Sequence, residues 1–187
     1  AYFHIVNRNK SAISIDLKSA EGQELLKKLL ADTDVFLTNF LPDRLTALHL
    51  TPDELMKIKP GLIFGNLSSY GGRGPDSTVP GYDATLQGRT GIMHVTGEPY
   101  GKPVRAGVSV LDMGAGMWLA IGVLAALVKR AETGLGSVVE TSLYETGASW
   151  VSYHLAAFQL SGKSSERFGA SHPAFGPYGL YQTLDGD

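Results

Sequence analysis

No cysteine occurs among the 187 residues of this chain. Disulfide staples, thiolate nucleophiles and cysteine-based metal sites are excluded at once. A cysteine-free chain fits a reducing compartment, and a cytoplasmic or organelle-matrix location is the expectation. Net charge is also small. Sixteen Lys and Arg stand against 18 Asp and Glu, for −2 at pH 7. Nucleic-acid binding and attachment to an anionic membrane both draw on a clear basic excess, so neither partner is expected. A small phosphorylated ligand needs only a few local cations and stays open. The first ten residues, AYFHIVNRNK, carry no basic n-region followed by an apolar h-region, so no signal peptide is read there. They also lack an initiator methionine, which points to a piece of a longer protein.

Long apolar runs are scarce too. The most apolar window, Met117 to Val128 ("MWLAIGVLAALV"), is closed by Lys129-Arg130. It is shorter than the roughly 20 residues a membrane span needs, and it reads as a buried core helix. Hydrophobic residues make up 43% and charged residues 18%, a globular composition long enough for one ordinary domain.

What is present alternates between strand and helix signals. Ile13–Leu17 alternates apolar and polar residues and predicts a short strand. Ser19 is placed to cap a helix over 20–31, with Leu25, Leu26, Leu29 and Leu30 as its apolar stripe. "DVFLT" at 34–38 predicts a strand. "TPDE" at 51–54 is a capping box with Pro at the first helical position, opening a two-turn helix that ends at Lys59-Pro60. Residues 62–67 predict a buried strand, and 68–82 a Gly/Pro/Ser-rich loop of a length that is usually functional. An amphipathic stretch at 82–90 and a strand-like "GIMHVTG" follow. A long helix then runs to about Thr133, closed by Gly134. "SVVETSL" predicts a strand, 143–160 a further helix, and the tail from 166 a turn-rich segment. Alternation of this kind implies an α/β fold with a largely parallel sheet.

The chemistry centres on one residue. Asp112 in "RAGVSVLDMGAGMW" stands at the start of the long helix. One reading is an N-cap that satisfies orphan N–H groups. The other is an activated nucleophile, because helix-start N–H groups favour the ionised carboxylate. Gly114, Ala115 and Gly116 would leave a bulky substrate room to approach. Elsewhere the signals are weaker. "YGGRGP" at 70–75 lacks the Gly-Lys-Ser/Thr ending of a phosphate-binding P-loop and reads as a flexible turn. His4, His49, His94, His154 and His172 show no metal-ligand spacing, so no metal is expected. No G-x-S-x-G elbow supports a serine hydrolase. Arg8 and Lys10 in "NRNK" are either solvated cations or a phosphate contact.

Taken in order, "NRNKSAISIDLKSAEGQELLKKLLADTDVFLTNFLPDRL", "KPGLIFGNLSSYGGRGP", the long segment from "PGYDATLQGRTG" to "SVVETSLYE", and "GASHPAFGPYGLYQTLDGD" resemble the family III CoA-transferases. That family includes formyl-CoA transferase and α-methylacyl-CoA racemase. The resemblance implies a Rossmann-like large-domain portion over 1–165, then a linker and the start of a small domain over 166–187. It implies a first βα unit before Ala1, the rest of the small domain after Asp187, and an interlocked homodimer. It also implies that Asp112 is the nucleophile, carrying first an acyl anhydride and then a CoA thioester. Acyl-CoA and a carboxylic acid are then the substrates, and no cofactor is tightly bound. The CoA-binding positions it implies are Asn9, Lys10, Asn39, Phe40, Arg44 and Tyr70, with Arg44 serving for an arginine that relatives carry at the position of Ala47. Tyr82, Gly169 and His172 fall in active-site loops. In the racemase branch the general base is a histidine at the position of Tyr82. A phenol of pKa roughly 10 is a poor base at neutral pH, which favours transferase over racemase. A non-catalytic CoA-binding homologue is a further alternative.

Overall fold

A computed structural model describes residues 2–186. Its framework is a parallel sheet of three strands in the order β1-β2-β3, namely β1 (Val35–Thr38), β2 (Ile63–Ser68) and β3 (Ser137–Ser142). Val35 pairs with Ile63, and Ile63 with Ser137. Helices α1 (Tyr2–Val6) and α2 (Ala20–Ala31) precede β1. Helices α3 (Pro42–Ala47) and α4 (Pro52–Ile58) join β1 to β2, and α5 (Asp83–Arg89), α6 (Ile92–Val95) and α7 (Val110–Thr133) join β2 to β3. Helices α8 (Leu143–Trp150) and α9 (Ser152–Ser161) follow. The α/β class with a parallel sheet is therefore present as the sequence implies.

The central strand explains the layering. Leu62, Ile63 and Phe64 are all buried, as expected of a parallel strand covered on both faces. On one face Phe64 joins Leu30, Leu45, Leu48, Leu50 and Leu55, and Phe36 stacks on it at 5.6 Å. Burying such a side chain contributes about 1.5–3 kcal/mol. On the other face α7 lies along β2 and β3, close enough that a Cβ on Gly122 would stand 2.5 Å from Val139 Cγ1. A second cluster, with Leu86, Ile92, Leu111, Ala115, Leu143 and Val151, joins α5 through α8.

Local signals set the helix ends. The Ser19 hydroxyl accepts from the Gly22 N–H, and Thr51 and Glu54 form the capping box. Gly134, at φ 71°, ends α7 in the left-handed region that glycine adopts without strain.

Four expectations are corrected. Residues 13–17 form no strand. Ile13 is 64% exposed, and the segment closes in a turn where Asp16 accepts from Ser19 and Lys18. Alternation makes a strand only where a sheet edge supplies backbone partners, and none lies beside this segment among the described residues. "GIMHVTG" contains the single-turn helix α6 instead of a strand, because Ile92 and Val95, three apart, both turn onto the second cluster. The helix predicted over 143–160 is two helices that meet at the buried Val151.

The fourth correction concerns α7, which is no buried core helix. Leu124 is 62% and Val128 68% exposed, and Met113, Met117, Trp118 and Ile121 are exposed too. At 24 residues it is also long and apolar enough to cross a membrane by composition, although it packs on the sheet as a domain helix. Its small residue Gly122 meets Val139 of β3, while Gly147 lets α8 approach Thr90 at the end of α5. A contiguous open apolar face of this kind marks an interaction surface. At micromolar concentration the 187-residue chain is accordingly expected to self-associate, as read by light scattering over a dilution series. A monodisperse monomer that binds no apolar dye would contradict this.

Candidate active site

A cavity of about 590 Å³ opens at the carboxyl ends of the strands. Asn39 follows β1, Leu67 and Ser68 end β2, Ser69 follows it, and Leu143 follows β3. Leu41, Pro80, Gly81, Tyr82 and Asp112 complete its wall. In open parallel sheets ligands bind outside the carboxyl ends of the strands, because there the loops diverge and helix starts point inward. The 69–82 loop is anchored at both ends. Gly71 N–H donates to Ser68 Oγ at 2.9 Å, and Ser69 Oγ donates to the Gly81 carbonyl at 3.1 Å.

Asp112 is the third residue of α7 and lines this cavity. It does not cap the helix. The N-cap is Ser109, whose side chain makes no capping bond, and the helix-start donors go to a different carboxylate. Asp83 Oδ2 accepts from Leu111 N–H at 2.8 Å and from Asp112 N–H at 3.3 Å. Among the described residues nothing hydrogen-bonds the Asp112 carboxylate itself. Its pKa is pushed up from the usual carboxylate range, first by partial burial at the cavity wall and then by the charge of Asp83. Asp112 is exposed as a residue, so the burial at its carboxyl is only partial. The expectation that helix-start N–H groups favour its ionised form is thus corrected. Those groups are spent on Asp83, and the Asp112 carboxylate is left more basic, not less.

Asp83 is 5% exposed and sits in a polar network that sequence reading missed. Gln87 Nε2 donates to Asp83 Oδ1 at 2.5 Å, and Gln87 Oε1 accepts from Ala106 N–H at 2.9 Å. Arg105 Nε lies 3.8 Å from Asp83 Oδ1 and offsets its buried charge. The one available signal was the Asp83/Gln87 spacing of four on an amphipathic helix, which puts both on one face.

The glycines after Asp112 play different parts from the one expected. A Cβ on Gly114 would stand 2.3 Å from Trp150 Cη2, so this glycine admits the indole and not a substrate. Ala115 is buried in the core, and Gly116 alone faces open space.

The other sequence-implied residues divide into groups. Asn39 and Tyr82 join Asp112 at the cavity, with Tyr82 82% exposed. Phe40 follows Asn39 and carries the Arg44 guanidinium 5.7 Å above its ring. Tyr70 packs beside Tyr144 at 5.9 Å and under Arg89 at 5.4 Å. Asn9 and Lys10 lie apart, in the turn after α1, where Lys10 Nζ donates to the Val6 carbonyl at 2.7 Å. Gly169 and His172 do not line the cavity. Gly169 N–H donates to the Gly97 carbonyl at 3.0 Å, and His172 packs on Phe175 at 4.7 Å. Among the described residues no cluster of three or more His, Asp or Glu could hold a metal ion.

The chain just after α9 is clasped by two histidines, His94 on α6 and His154 on α9. His94 Nε2 lies 2.9 Å from the Ser165 carbonyl, and His154 Nδ1 lies 2.9 Å from Ser165 Oγ. Burial, and then the neighbouring His172 and His94, push the His154 pKa down. The folded state therefore binds its proton less readily than the unfolded chain. The contribution of neutral His154 to stability is complete above the unfolded value of roughly 6.5 and is lost as pH falls through it toward the lowered folded value. Protection factors for hydrogen exchange across residues 163–172 are expected to fall below about pH 6.5, and His154→Gln is expected to flatten that response. An identical acid response in the variant would assign it to another group.

Comparisons with known proteins place this geometry. The family model described as CoA-transferase family III matches residues 1–187. An acyl-CoA transferase of Fusarium pseudograminearum is 41% identical over 184 residues, 98% of this chain and 40% of that one. The human succinyl-CoA:glutarate CoA-transferase is 34% identical over 185 residues, 99% of this chain and 42% of that one. The crystal structure of a CAIB/BAIF family protein from Brucella suis superposes with a TM-score of 0.88 at 36% identity, over 99% of this chain and 49% of that one. The chain thus spans less than half the length of these relatives.

Proposed function

The chain belongs to CoA-transferase family III, and on that premise we propose that it carries the nucleophile of an enzyme moving CoA from an acyl-CoA donor to a carboxylic acid. The observation that carries this reading is the Asp112 carboxylate. It stands at the wall of a 590 Å³ cavity, unpartnered among the described residues, while Asp83 takes the helix-start donors beside it. A carboxylate whose basicity is raised in this way is a stronger nucleophile than a capped one.

The reaction follows as four acyl transfers. Asp112 attacks the thioester carbonyl of the donor, and CoA thiolate leaves from a mixed anhydride. The thiolate attacks the aspartyl carbonyl of that anhydride, releasing the donor acid and forming an aspartyl-CoA thioester. The acceptor carboxylate attacks this thioester and expels the thiolate again. The thiolate then attacks the acceptor's carbonyl in the new anhydride, so acyl-CoA leaves and the Asp112 carboxylate is restored. The overall exchange trades one thioester for another of similar energy, and no acyl group is lost to hydrolysis as long as water is kept out.

Asn39 on the cavity wall, with Phe40 and Arg44 beside it, is proposed to hold the CoA, and Tyr70 to flank its pantetheine arm. Asn9 and Lys10, in the turn after α1, are proposed to hold the nucleotide end. Gly169 and His172 belong to a loop proposed to approach Asp112 in the assembled enzyme. Residues 166–187 are proposed to start a small domain, and a homodimer to cover the apolar face of α7. A CoA thioester is the substrate, and no tightly bound cofactor is proposed. By kinship with the human succinyl-CoA:glutarate enzyme, dicarboxylic acids are the first acceptors to examine.

The test is a panel of acyl-CoA donors against carboxylic acids on the intact enzyme, in deuterated water, with products read by mass. The expected result is new acyl-CoA that depends on the acceptor acid and carries no α-deuterium. Rapid α-deuterium incorporation into a 2-methylacyl-CoA without any acceptor would mean that Tyr82 does not block proton transfer, and the racemase reading would replace this one.

A further inference from the structure

Gln87 is an uncharged side chain with no exposed surface, one helical turn beyond Asp83, and it does not itself line the cavity. Its amide orientation is dictated by its neighbours. Ala106 N–H can only donate, so Oε1 must face it at 2.9 Å. Nε2 then faces Asp83 Oδ1 at 2.5 Å, with the Val108 carbonyl at 3.4 Å. The other oxygen of Asp83 receives the Leu111 and Asp112 N–H groups. One buried amide therefore joins three pieces of chain: α5, the irregular approach around 106–108, and, through Asp83, the first turn of α7. Between Lys102 and Ser109 every described hydrogen bond to α5 ends on Gln87, and only the 3.8 Å Arg105–Asp83 ion pair supports it.

We propose that Gln87 is a positioning residue for the reaction: its amide fixes the approach to α7 and the capping carboxylate of Asp83, and so fixes where Asp112 stands at the cavity wall. This rests on the reading of Asp112 as nucleophile. The residue type follows from the contacts. Position 87 must accept on one side and donate on the other, toward a carboxylate that itself has only donors around it. Glutamine does both without a charge. Glutamate has the same shape but meets Asp83 with a second negative oxygen unless it holds a proton. Leucine has similar bulk and meets neither partner, leaving a buried N–H and a buried carboxylate oxygen short of a bond.

Two variants of the intact enzyme test this, Gln87→Leu and Gln87→Glu, each read by kcat, by KM for acyl-CoA and by amide exchange at Leu111 and Asp112. The titratable and charged groups facing position 87 are Asp83 on α5, Arg105 on the approach and Asp112 on α7. For Gln87→Leu we expect faster exchange at both amides and a kcat loss of about 100-fold, the scale of an ångström of misplacement, with KM little changed. Gln87→Glu keeps the fold accessible if the leucine variant does not assemble. While protonated, the carboxylic acid that Gln87→Glu introduces can donate to Asp83, so the kcat of that variant relative to wild type is highest at acid pH and falls reversibly as pH rises. Wild-type exchange at Leu111 and Asp112, or a Gln87→Glu profile parallel to wild type at every pH, overturns the inference. Faster exchange with unchanged kcat overturns it as well, since the anchor would then not bear on the reaction. Failure of the nucleophile assignment would instead show as transfer by Asp112→Asn.

Discussion

Asp112→Asn is expected to abolish CoA transfer, with a loss of at least about 10⁴-fold, the scale seen when a covalent nucleophile is removed. The amide cannot form an anhydride, so no aspartyl intermediate is available to hold CoA. Binding of CoA is expected to change little, because the residues proposed to hold it lie after α1, after β1, on α3 and in the loop after β2, and not on α7. The same substitution is expected to raise the thermal midpoint at neutral pH. Partial burial and the charge of Asp83 both oppose ionisation of Asp112, so the folded state binds its proton more readily than the unfolded chain. An ionised Asp112 therefore costs stability above its raised pKa, and an uncharged isostere does not. The advantage of the variant should shrink as pH falls through that pKa, where wild type becomes neutral too. Transfer within tenfold of wild type would remove Asp112 from the mechanism. A lower midpoint at pH 7 would contradict the electrostatic account of its site.

Gly136→Ala is expected to destabilise the fold more than Gly122→Ala. A Cβ there would stand 1.8 Å from the Leu62 carbonyl oxygen, 2.6 Å from its carbon and 2.9 Å from the Gly61 carbonyl carbon. These are backbone atoms just before the central strand, and Gly136 N–H itself donates to the Pro60 carbonyl at 2.8 Å. No rotamer can relieve the overlap. The start of β3 must shift, and with it the Ser137–Ile63 register. Overpacking costs about 1–3 kcal/mol, and a rigid backbone neighbour puts this case at the upper end. At about 2–4 °C per kcal/mol, the midpoint should fall by about 6–12 °C. Gly122→Ala is the matched control. Its new methyl meets Val139 Cγ1 at 2.5 Å, a side chain that can turn, and the loss should be smaller. Calorimetry on the three proteins decides. Equal midpoints for Gly136→Ala and wild type would mean that the approach of β3 to Leu62 is looser than the structure has it.

The two predictions differ in how far the sequence foretold them. The start of α7 close to Asp112 was legible from "VLDMGAG", because a helix-long apolar run begins there. What Asp112 does there was not legible. A capping motif is read from residues within about four positions, and by that rule Asp112 should hold its own helix-start donors. In the structure those donors are held by Asp83, 28 and 29 residues away. A helix start takes whichever acceptor reaches it with the better geometry, and only the folded arrangement of α5 against α7 brings Asp83 there. Gln87 was hidden for the same reason, since both of its anchoring partners on the approach lie about 20 residues downstream.

By itself the sequence determined what short-range physics controls. Ser19, the Thr51–Glu54 box and Gly134 set helix ends, because their hydrogen bonds and backbone preferences close within a few residues. The buried run before Ser68 set the central strand, because only a strand covered on both faces can be apolar throughout. Tertiary structure decided the rest. It denied 13–17 a strand for want of a pairing edge, turned 92–95 into a helical turn by drawing Ile92 and Val95 to one core, and left a face of α7 bare. Burial depends on what stands opposite a residue, and hydrogen-bond partners across a sheet or between helices have no fixed distance along the chain. Composition marked α7 as apolar, but only the packing showed which side of it meets the sheet.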